Sequence, residues 1–289
     1  MSYSNCIVSN KTRLCCVIGH PIDKSLSPIM HNEAFRAKGL NYVYLAFDVD
    51  TSRLKEAVEG LRALKVKGFN VTMPHKVAIL NLLDRINEGA SLVGAVNTVV
   101  NDDGELIGYN TDVNGIISAL EAKFHSLKGL KALLIGAGGA ARACIVALVS
   151  KGCKEIIIMN RTFDKAKLMV EDLGKKLKMN YNLEELNMNS LKKAINSVDI
   201  LMNATPIGTY PNLDESIVPQ ELIKKDMVVF DAVYNPKKTK LIRDAEKMGA
   251  KVIPGYEMFV GQGAASFKLW TGIDAPIDIM RRAVLKALG

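Results

Sequence analysis

The stretch LLIGAGGAARACIVALV, Leu133 to Val149, constrains this chain more than any other. An apolar run, Leu133-Leu134-Ile135, meets the turn Gly136-Ala137-Gly138-Gly139-Ala140-Ala141, and a helix-forming run from Arg142 to Leu148 follows. The order is therefore strand, glycine turn, helix. Gly136, Gly138 and Ala141 occupy the key places of the pattern G-x-G-x-x-G/A. That pattern needs a tight turn at the first place and bare backbone at the second, where a pyrophosphate approaches. It needs a small residue at the third, so that the helix packs close on the strand. Backbone N–H groups at the helix N-terminus then face the anion. Glycine also serves as an ordinary link from strand to helix, but the flanking order here favours dinucleotide binding.

The chain around this stretch alternates strands and helices. Before it, strands are expected at 14–18, 42–49, 68–73, 95–100 and 105–109. Ser27, with Pro28 behind it, reads as the N-cap of a helix to about Lys38. Thr51 reads as the cap of a second helix, and Pro74-His75-Lys76 as the opening of a third, with Val77, Leu80, Leu83 and Ile86 on one face. Asn101-Asp102-Asp103-Gly104 is a hairpin signal. A helix from Val113 to Phe124 precedes a linker, His125 to Gly129. Beyond Leu130 the expected strands are 133–135, 155–159, 199–203, 227–233 and 251–253, with helices at 164–176 and 236–248. This rhythm gives a parallel sheet with right-handed crossovers. Two last helices, Met258 to Trp270 and Pro276 to Leu288, have no strand left to pair and are expected to pack back on the first domain.

Bulk properties narrow the functional classes. A chain of 289 residues is long enough for two domains. The formal charge of +8 suits acidic small molecules or phosphates, but the lysines are dispersed and no basic run is interleaved with aromatics, so nucleic acid is not an expected partner. The five cysteines form no C-x-x-C pair, and the four histidines have no metal-ligand spacing, so neither a disulfide framework nor a metal site is expected. The segment MSYSNCIVSNKTR lacks the apolar core of a signal peptide, and no apolar stretch is long enough to span a bilayer. The expectation is a cytoplasmic protein that does not engage membranes.

The residues after the second strand of the nucleotide half bear on the cofactor. An NAD site usually has Asp or Glu there, accepting from the ribose 2′-OH. This chain has Asn160-Arg161-Thr162, with Lys165 a turn later. Cations in this place favour a 2′-phosphate and hence NADP, although both also suit a solvated helix start. The first half carries polar residues where strands end: Ser25, Ser27, Asn70, Thr72, Lys76, Asn97 and Asp112. In open α/β sheets, ligands bind at such exits. Placed in a first helical turn, Lys76 would meet an unfavourable helix dipole and lose its proton more readily, which suits a general acid/base. Each residue also has an ordinary account. Ser27 and Asp112 serve as helix caps, Lys76 as a surface lysine, and Thr72 and Asn97 as strand-edge partners.

Eight motifs then occur in a familiar order: GHPIDKSLSPIMHN (19–32), FNVTMPHK (69–76), GAVNTV (94–99), GYNTD (108–112), IGAGGAAR (135–142), NRT (160–162), NATPIG (203–208) and GYEMFVGQGAASFKLWTG (255–272). Together they closely resemble the shikimate 5-dehydrogenase family and its quinate/shikimate relatives, from Leu14 onward. The resemblance implies an α/β protein of two domains. An N-terminal α/β substrate domain, 1–112, is completed by C-terminal helices, 259–289. A Rossmann-like NADP-binding domain with a parallel sheet covers 113–258. It implies reversible reduction of 3-dehydroshikimate to shikimate by NADPH, on the chorismate route to aromatic amino acids. Lys76 and Asp112 match the catalytic pair. Ser25 and Ser27 would hold the substrate carboxylate with Tyr234 beside it, and Thr72, Asn97 and Gln262 would bind ring hydroxyls. Gly136, Ala137, Gly138, Gly139, Ala140, Asn160, Arg161, Thr162 and Lys165 would hold NADP, with Thr205, Val233 and Gly255 on the nicotinamide side.

Lys24 stands where many members have His, and the C-terminal motif is as close to the quinate-accepting branch as to the shikimate-specific one. Dual use of shikimate and quinate, with NAD or NADP, stays open. So does a non-catalytic sensor that binds NADP and shikimate, although both Lys76 and Asp112 are retained. A monomer or a homodimer is expected.

Overall fold

A computed structural model describes residues 8–124 and 126–289. The extreme N-terminus with Cys6, and His125 in the expected linker, lie outside the described residues. The chain divides into two compact units, one running to Thr111 and taking in Gln262–Ala287, the other holding Asp112–Gly261.

In the first unit, β1 (Arg13–Gly19), α1 (Ser27–Ala37), β2 (Tyr42–Asp48), α2 (Leu54–Ala63) and β3 (Gly68–Val71) alternate. They are followed by β4 (Arg85–Ile86), α3 (Glu88–Val93), β5 (Thr98–Asp102) and β6 (Glu105–Tyr109). The six strands form one sheet in the order β2-β1-β3-β5-β6-β4. β1 lies parallel to both β2 and β3, whereas β5 runs antiparallel to β3 and β6. The β5–β6 hairpin turns through Asp103 (φ +48°) and Gly104 (φ +101°), two left-handed residues as a type I′ turn requires. Gly104 N–H donates to Asn101 Oδ1 at 2.8 Å, which fixes the turn locally. α2 lays Leu54, Val58 and Leu61 on the sheet at helical spacing, against Phe69 and Val71 of β3.

Three local expectations are corrected. Residues 73–77 form a turn and Ala78–Leu82 a 3₁₀ helix, so Lys76 does not sit in the first turn of an α-helix. Of the expected apolar face only Leu80 lies in this 3₁₀ helix: Val77 precedes it and is exposed, Leu83 follows it, Ile86 belongs to β4, and the buried residue of the segment is Ile79. The helix-dipole argument for Lys76 therefore does not apply. Leu26, not Ser27, is the N-cap of α1, and its side chain makes no capping bond; Pro28 supports the start instead. Asn97 lies one residue before β5, yet its backbone continues the ladder, donating to Tyr109 O at 3.1 Å and accepting from Val71 N–H at 2.8 Å.

The second unit opens with α4 (Asp112–Glu121), β7 (Lys131–Ile135), α5 (Gly139–Ser150), β8 (Glu155–Asn160), α6 (Phe163–Gly174) and β9 (Tyr181–Glu185). It continues through α7 (Met188–Ser197), β10 (Ile200–Asn203), β11 (Val228–Asp231), α8 (Lys240–Lys247) and β12 (Lys251–Ile253). All six strands are parallel, in the order β12-β11-β10-β7-β8-β9. The order reverses between β7 and β10, which makes that point the switch where such sheets bind ligands. β9 and α7 have no counterpart in the sequence reading. β9, YNLEE, is a largely exposed edge strand with no apolar run, and two acidic residues protect that edge. α7 carries a short buried stripe, Leu191, Ala194 and Ile195, inside a polar segment.

Two helices close the chain, α9 (Gly255–Thr271) and α10 (Ile277–Leu288). The division between units falls within α9. The part from Gln262 onward completes the first unit. Phe267 stacks on Phe35 of α1 with centroids 5.3 Å apart, and the indole N–H of Trp270 donates to Val99 O of β5 at 3.0 Å. Trp270 is nearly fully buried, so the indole both fills volume and caps a sheet carbonyl. Trp270→Phe keeps an aromatic ring but removes the donor and part of the volume. It is expected to lower unfolding stability by about 2–3 kcal/mol, read as a reduced urea midpoint at unchanged slope.

Candidate active site

In the first unit the candidate residues gather where β1 and β3 end and the antiparallel β5 begins. Ser25 and Ser27 follow β1. Ser25 Oγ accepts from Ser27 N–H at 3.3 Å, and Ser27 is buried while Ser25 is half-buried. Thr72 leaves β3; its N–H donates to Ile18 O at 2.9 Å and its carbonyl accepts from His75 N–H at 2.9 Å. Lys76 follows in the turn, half-buried, and its carbonyl accepts from Val96 N–H at 2.8 Å. That bond ties the Lys76 turn to the segment leading into Asn97.

Asn97 is the hub of a buried polar network. Its Nδ2 donates to Thr111 Oγ1 at 2.9 Å and to Gln262 Oε1 at 3.4 Å, and its Oδ1 accepts from Thr111 N–H at 2.7 Å. Asn70 Nδ2 donates to Asn97 O and Thr98 Oγ1, both at 3.0 Å, and to Ser266 Oγ at 3.1 Å. Tyr44 OH donates to Asn70 Oδ1 at 2.6 Å. Asn97 and Gln262 are thus brought together, as the sequence reading placed both on the substrate. Tyr44, Thr98, Thr111 and Ser266 were missed as their fixing partners. Hydroxyls in strand and helix interiors carry no pattern that distinguishes a network member from a solvated residue.

The second unit holds the glycine turn and the remaining candidates. Gly136 adopts φ +129°, and a Cβ there would come within 2.7 Å of Ala204 O. Only glycine fits both demands. Gly138 is the N-cap of α5, and a Cβ there would meet no protein atom within 4 Å. Its bareness therefore answers no packing need of the protein itself, as expected where backbone must stay open to a phosphate. Ala137 is buried, and Gly139 and Ala140 open α5, directing its first N–H groups out of the turn. At the exit of β8, Asn160 Nδ2 donates to Thr162 O at 2.8 Å, which shapes the NRT turn. Thr162 is the N-cap position of α6, and Asp164 lies in its first turn rather than capping it. Arg161 and Lys165 are exposed and make no ion pair with any described residue. Arg142, by contrast, pairs with Asp172 at 2.6 Å. The turn and these two cations fit the diphosphate and 2′-phosphate of NADP.

Asp112 is buried at the first residue of α4, and burial together with the Asp112 charge pushes the Cys144 thiol of α5 far up, so that it stays protonated. Thr205, Val233, Tyr234 and Gly255 follow β10, β11 and β12. Tyr234 stacks on Phe259 at 4.3 Å between centroids, and burial pushes its phenol up to about 12. A Cβ on Gly255 would run into Val233 O and within 2.8 Å of Asp231 O, so glycine lets α9 begin against the exit of β11.

Beneath these loops lies a buried carboxylate that the sequence reading did not single out. Asp231 ends β11 in register with Asn203, the last residue of β10. Its Oδ1 accepts from Asn203 Nδ2 at 2.9 Å and Val233 N–H at 3.0 Å, and its Oδ2 from Thr239 Oγ1 at 2.6 Å. Asn203 Oδ1 in turn accepts from Thr205 N–H at 3.0 Å and Thr205 Oγ1 at 2.7 Å. Burial raises the Asp231 carboxyl from 3.8 to about 6, against the lowering effect of these donors.

Three family models match the chain: a shikimate dehydrogenase substrate binding domain over residues 17–99, a shikimate / quinate 5-dehydrogenase over 118–241, and a shikimate 5′-dehydrogenase C-terminal domain over 255–285. A shikimate dehydrogenase (NADP(+)) of Methanocaldococcus jannaschii is 46% identical over 280 residues, covering 96% of this chain and 98% of that protein. This chain belongs to the shikimate dehydrogenase family. A crystal structure of a shikimate dehydrogenase in complex with NADP+ superposes with a TM-score of 0.92 at 44% identity, covering 98% of both chains. A shikimate 5-dehydrogenase from Listeria monocytogenes, in complex with shikimate and NAD, gives a TM-score of 0.87 at 41% identity, covering 95% of this chain and 97% of that one. The expected α/β class, with a Rossmann-like parallel sheet, stands for this family member. Among the described residues no group of His, Cys, Asp and Glu could hold a metal ion, and no helix is long and apolar enough to cross a membrane.

The Asp231 carboxyl holds its proton more tightly in the folded chain than in the unfolded one. Its contribution to stability is therefore fully present below pH 3.8 and lost as pH rises through about 6. Asp231→Asn removes that titration. Relative to the parent, the variant is expected to gain about 3 kcal/mol between pH 3.8 and pH 7, measured as the difference between two urea-unfolding series across that range.

Proposed function

We propose that this chain reversibly reduces 3-dehydroshikimate to shikimate with NADPH, and that Lys76 and Asp112 handle the proton. Family membership carries the reaction, and the glycine turn with Arg161 and Lys165 supports NADP as its cofactor. NADPH, when bound, would supply the hydride in the reducing direction, and NADP+ would take it back in the oxidising one. The Lys76 ammonium gives a proton to the alkoxide that develops at the ketone oxygen, and in the oxidising direction its neutral amine takes that proton from the hydroxyl. Asp112, an anion at the start of α4, orients Lys76 and the hydroxyl. Ser25 and Ser27 bind the substrate carboxylate, with Tyr234 beside it. Thr72, Asn97 and Gln262 bind ring hydroxyls. The Asn97 amide is held by Thr111, so its orientation does not depend on substrate. Gly136 to Ala140, Asn160, Arg161, Thr162 and Lys165 hold the nucleotide, and Thr205, Val233 and Gly255 face the nicotinamide. The first unit acts as the substrate domain and the second as the NADP domain. We place the enzyme in the cytoplasm, as a monomer or homodimer with no nucleic-acid partner.

A second reading, use of quinate and of NAD, is favoured by the description of the 118–241 match as a shikimate / quinate 5-dehydrogenase. Initial rates with shikimate and quinate against NADP and NAD separate the two. Preference for shikimate with NADP is the expected outcome, and faster turnover of quinate with NAD would overturn it. Absence of turnover by folded protein with every pair would instead leave a binding protein.

Lys76→Ala is expected to lower kcat by about 10²- to 10⁴-fold while the shikimate dissociation constant, from calorimetry, changes little. An equal loss in both would make Lys76 a binding residue. Arg161→Ala is expected to raise the KM for NADP by about ten- to a hundredfold, the worth of a charge-assisted phosphate contact. Its KM for NAD should stay near the parent value, and a parallel rise in both would remove Arg161 from 2′-phosphate recognition.

A further inference from the structure

The Asp231 carboxylate holds two of the three strand-exit segments of the second unit that the proposed function assigns to the nicotinamide side, those of Thr205 and Val233. Through Asn203 it reaches Thr205, because donation of the Asn203 amide N–H to Asp231 leaves the amide oxygen facing Thr205. Directly it takes the N–H of Val233. Its second oxygen takes the hydroxyl proton of Thr239, which leaves a Thr239 lone pair to accept from Ile242 N–H at 3.3 Å at the start of α8. Three donors thus converge on one fully buried carboxylate, and no cation pairs with it among the described residues. A hydrophobic pair at these two positions would pack between parallel strands at no desolvation cost. A charge in this place is dear to keep if its only task is to fill the core.

We propose that Asp231 is a positioning residue for the reaction: acting through Asn203 and through the Val233 amide, it fixes the Thr205 and Val233 loops against the nicotinamide end of NADP. This rests on the proposed assignment of Thr205 and Val233. Asp231 is fully buried, so its action runs through the groups hydrogen-bonded to it. The glycine turn and the NRT segment, which serve the adenosine and phosphate end, hang from β7 and β8 and make no hydrogen bond to the Asp231 carboxylate. The glycine turn meets the Thr205 segment through backbone packing at Ala204, but the side-chain network of Asp231 serves the nicotinamide end alone, and its loss falls chiefly there.

The test compares two ligands on the full chain: NADP, and adenosine 2′,5′-bisphosphate, which lacks the nicotinamide end. In Asp231→Ala the dissociation constant for NADP is expected to rise by about tenfold and kcat to fall by about ten- to a hundredfold. Binding of adenosine 2′,5′-bisphosphate should stay within about twofold of the parent. Asp231→Asn keeps an acceptor for Asn203 and Val233 and is expected to recover most of the lost affinity. If Asp231→Ala does not fold, Asn203→Ala breaks the same link at its other end, with the same two ligands as readout. Unchanged NADP affinity and kcat in a folded variant overturns the proposal. So does a matching loss of both ligands, which would mean general loosening of the unit. Failure of the parent enzyme to turn over shikimate with NADP would overturn the functional reading instead, and the parent assay shows that independently.

Discussion

Asparagine side chains buried where the backbone enters or leaves the sheets are the interactions on which both units depend. A strand exit is where a ligand-binding loop must begin, so backbone N–H groups leave the ladder there while still inside the protein. Each would cost about 1–3 kcal/mol if left without a partner. In the first unit Asn97 supplies the acceptor for Thr111 N–H and a donor for Thr111 Oγ1, while Asn70 ties the carbonyl of Asn97 to Ser266. In the second, Asn203 accepts from Thr205 N–H while Asp231 accepts from Val233 N–H. A primary amide serves well because it both donates and accepts, so one side chain can receive its orientation from the core and pass it to a loop.

The same solution has different consequences in the two units. In the first, the network closes only with residues from the far end of the chain. Ser266 meets Asn70 across 196 residues of sequence, and Trp270 reaches Val99 across 171. The unit is therefore discontinuous by necessity. Its mixed sheet acquires its last polar partners from α9, and a chain ending before Gln262 would leave Asn70 and Thr98 short of a partner. In the second unit the partners are neighbours in register on adjacent parallel strands, and the network ends on a carboxylate. One network offers neutral groups suited to hydroxyls. The other supplies a fixed charge that holds backbone.

The glycine turn adds a steric constraint. Gly136 is required by the Ala204 carbonyl and its own backbone angle, both features of the protein itself. Gly138 is not required in that way, since a Cβ there would meet no described atom within 4 Å. The fold requires the first glycine and leaves the second open, which is the division of labour read from the G-x-G pattern. Arg161 and Lys165 carry a similar message in charge. They lie where β8 ends, exposed and without an ion-pair partner among the described residues, while Arg142 of α5 pairs with Asp172.

Much of this was legible in the residues. Alternating apolar runs and helical stripes gave the α/β class, and the G-x-G turn and NRT pointed to NADP, the cofactor in the names of the relatives. The ordered motifs gave the family. The apolar residues 77, 80, 83 and 86 suggested an α-helix, but the segment is a 3₁₀ helix of five residues that buries Ile79 instead. The edge strand β9 was hidden because an exposed strand need not alternate. By itself, then, the sequence determined which segments bury an apolar face, where the backbone needs glycine, and which residue types are available at strand exits. These are local properties, set by side-chain chemistry and short spacings. Only the tertiary structure decided that Asn97 is oriented by Thr111 and set beside Gln262, that Ser266 completes a network begun at Tyr44, and that Asp231 stands beneath Thr205 and Val233. Those roles depend on hydrogen bonds between residues far apart in the chain, and hydrogen bonds of that kind leave no period or spacing to read.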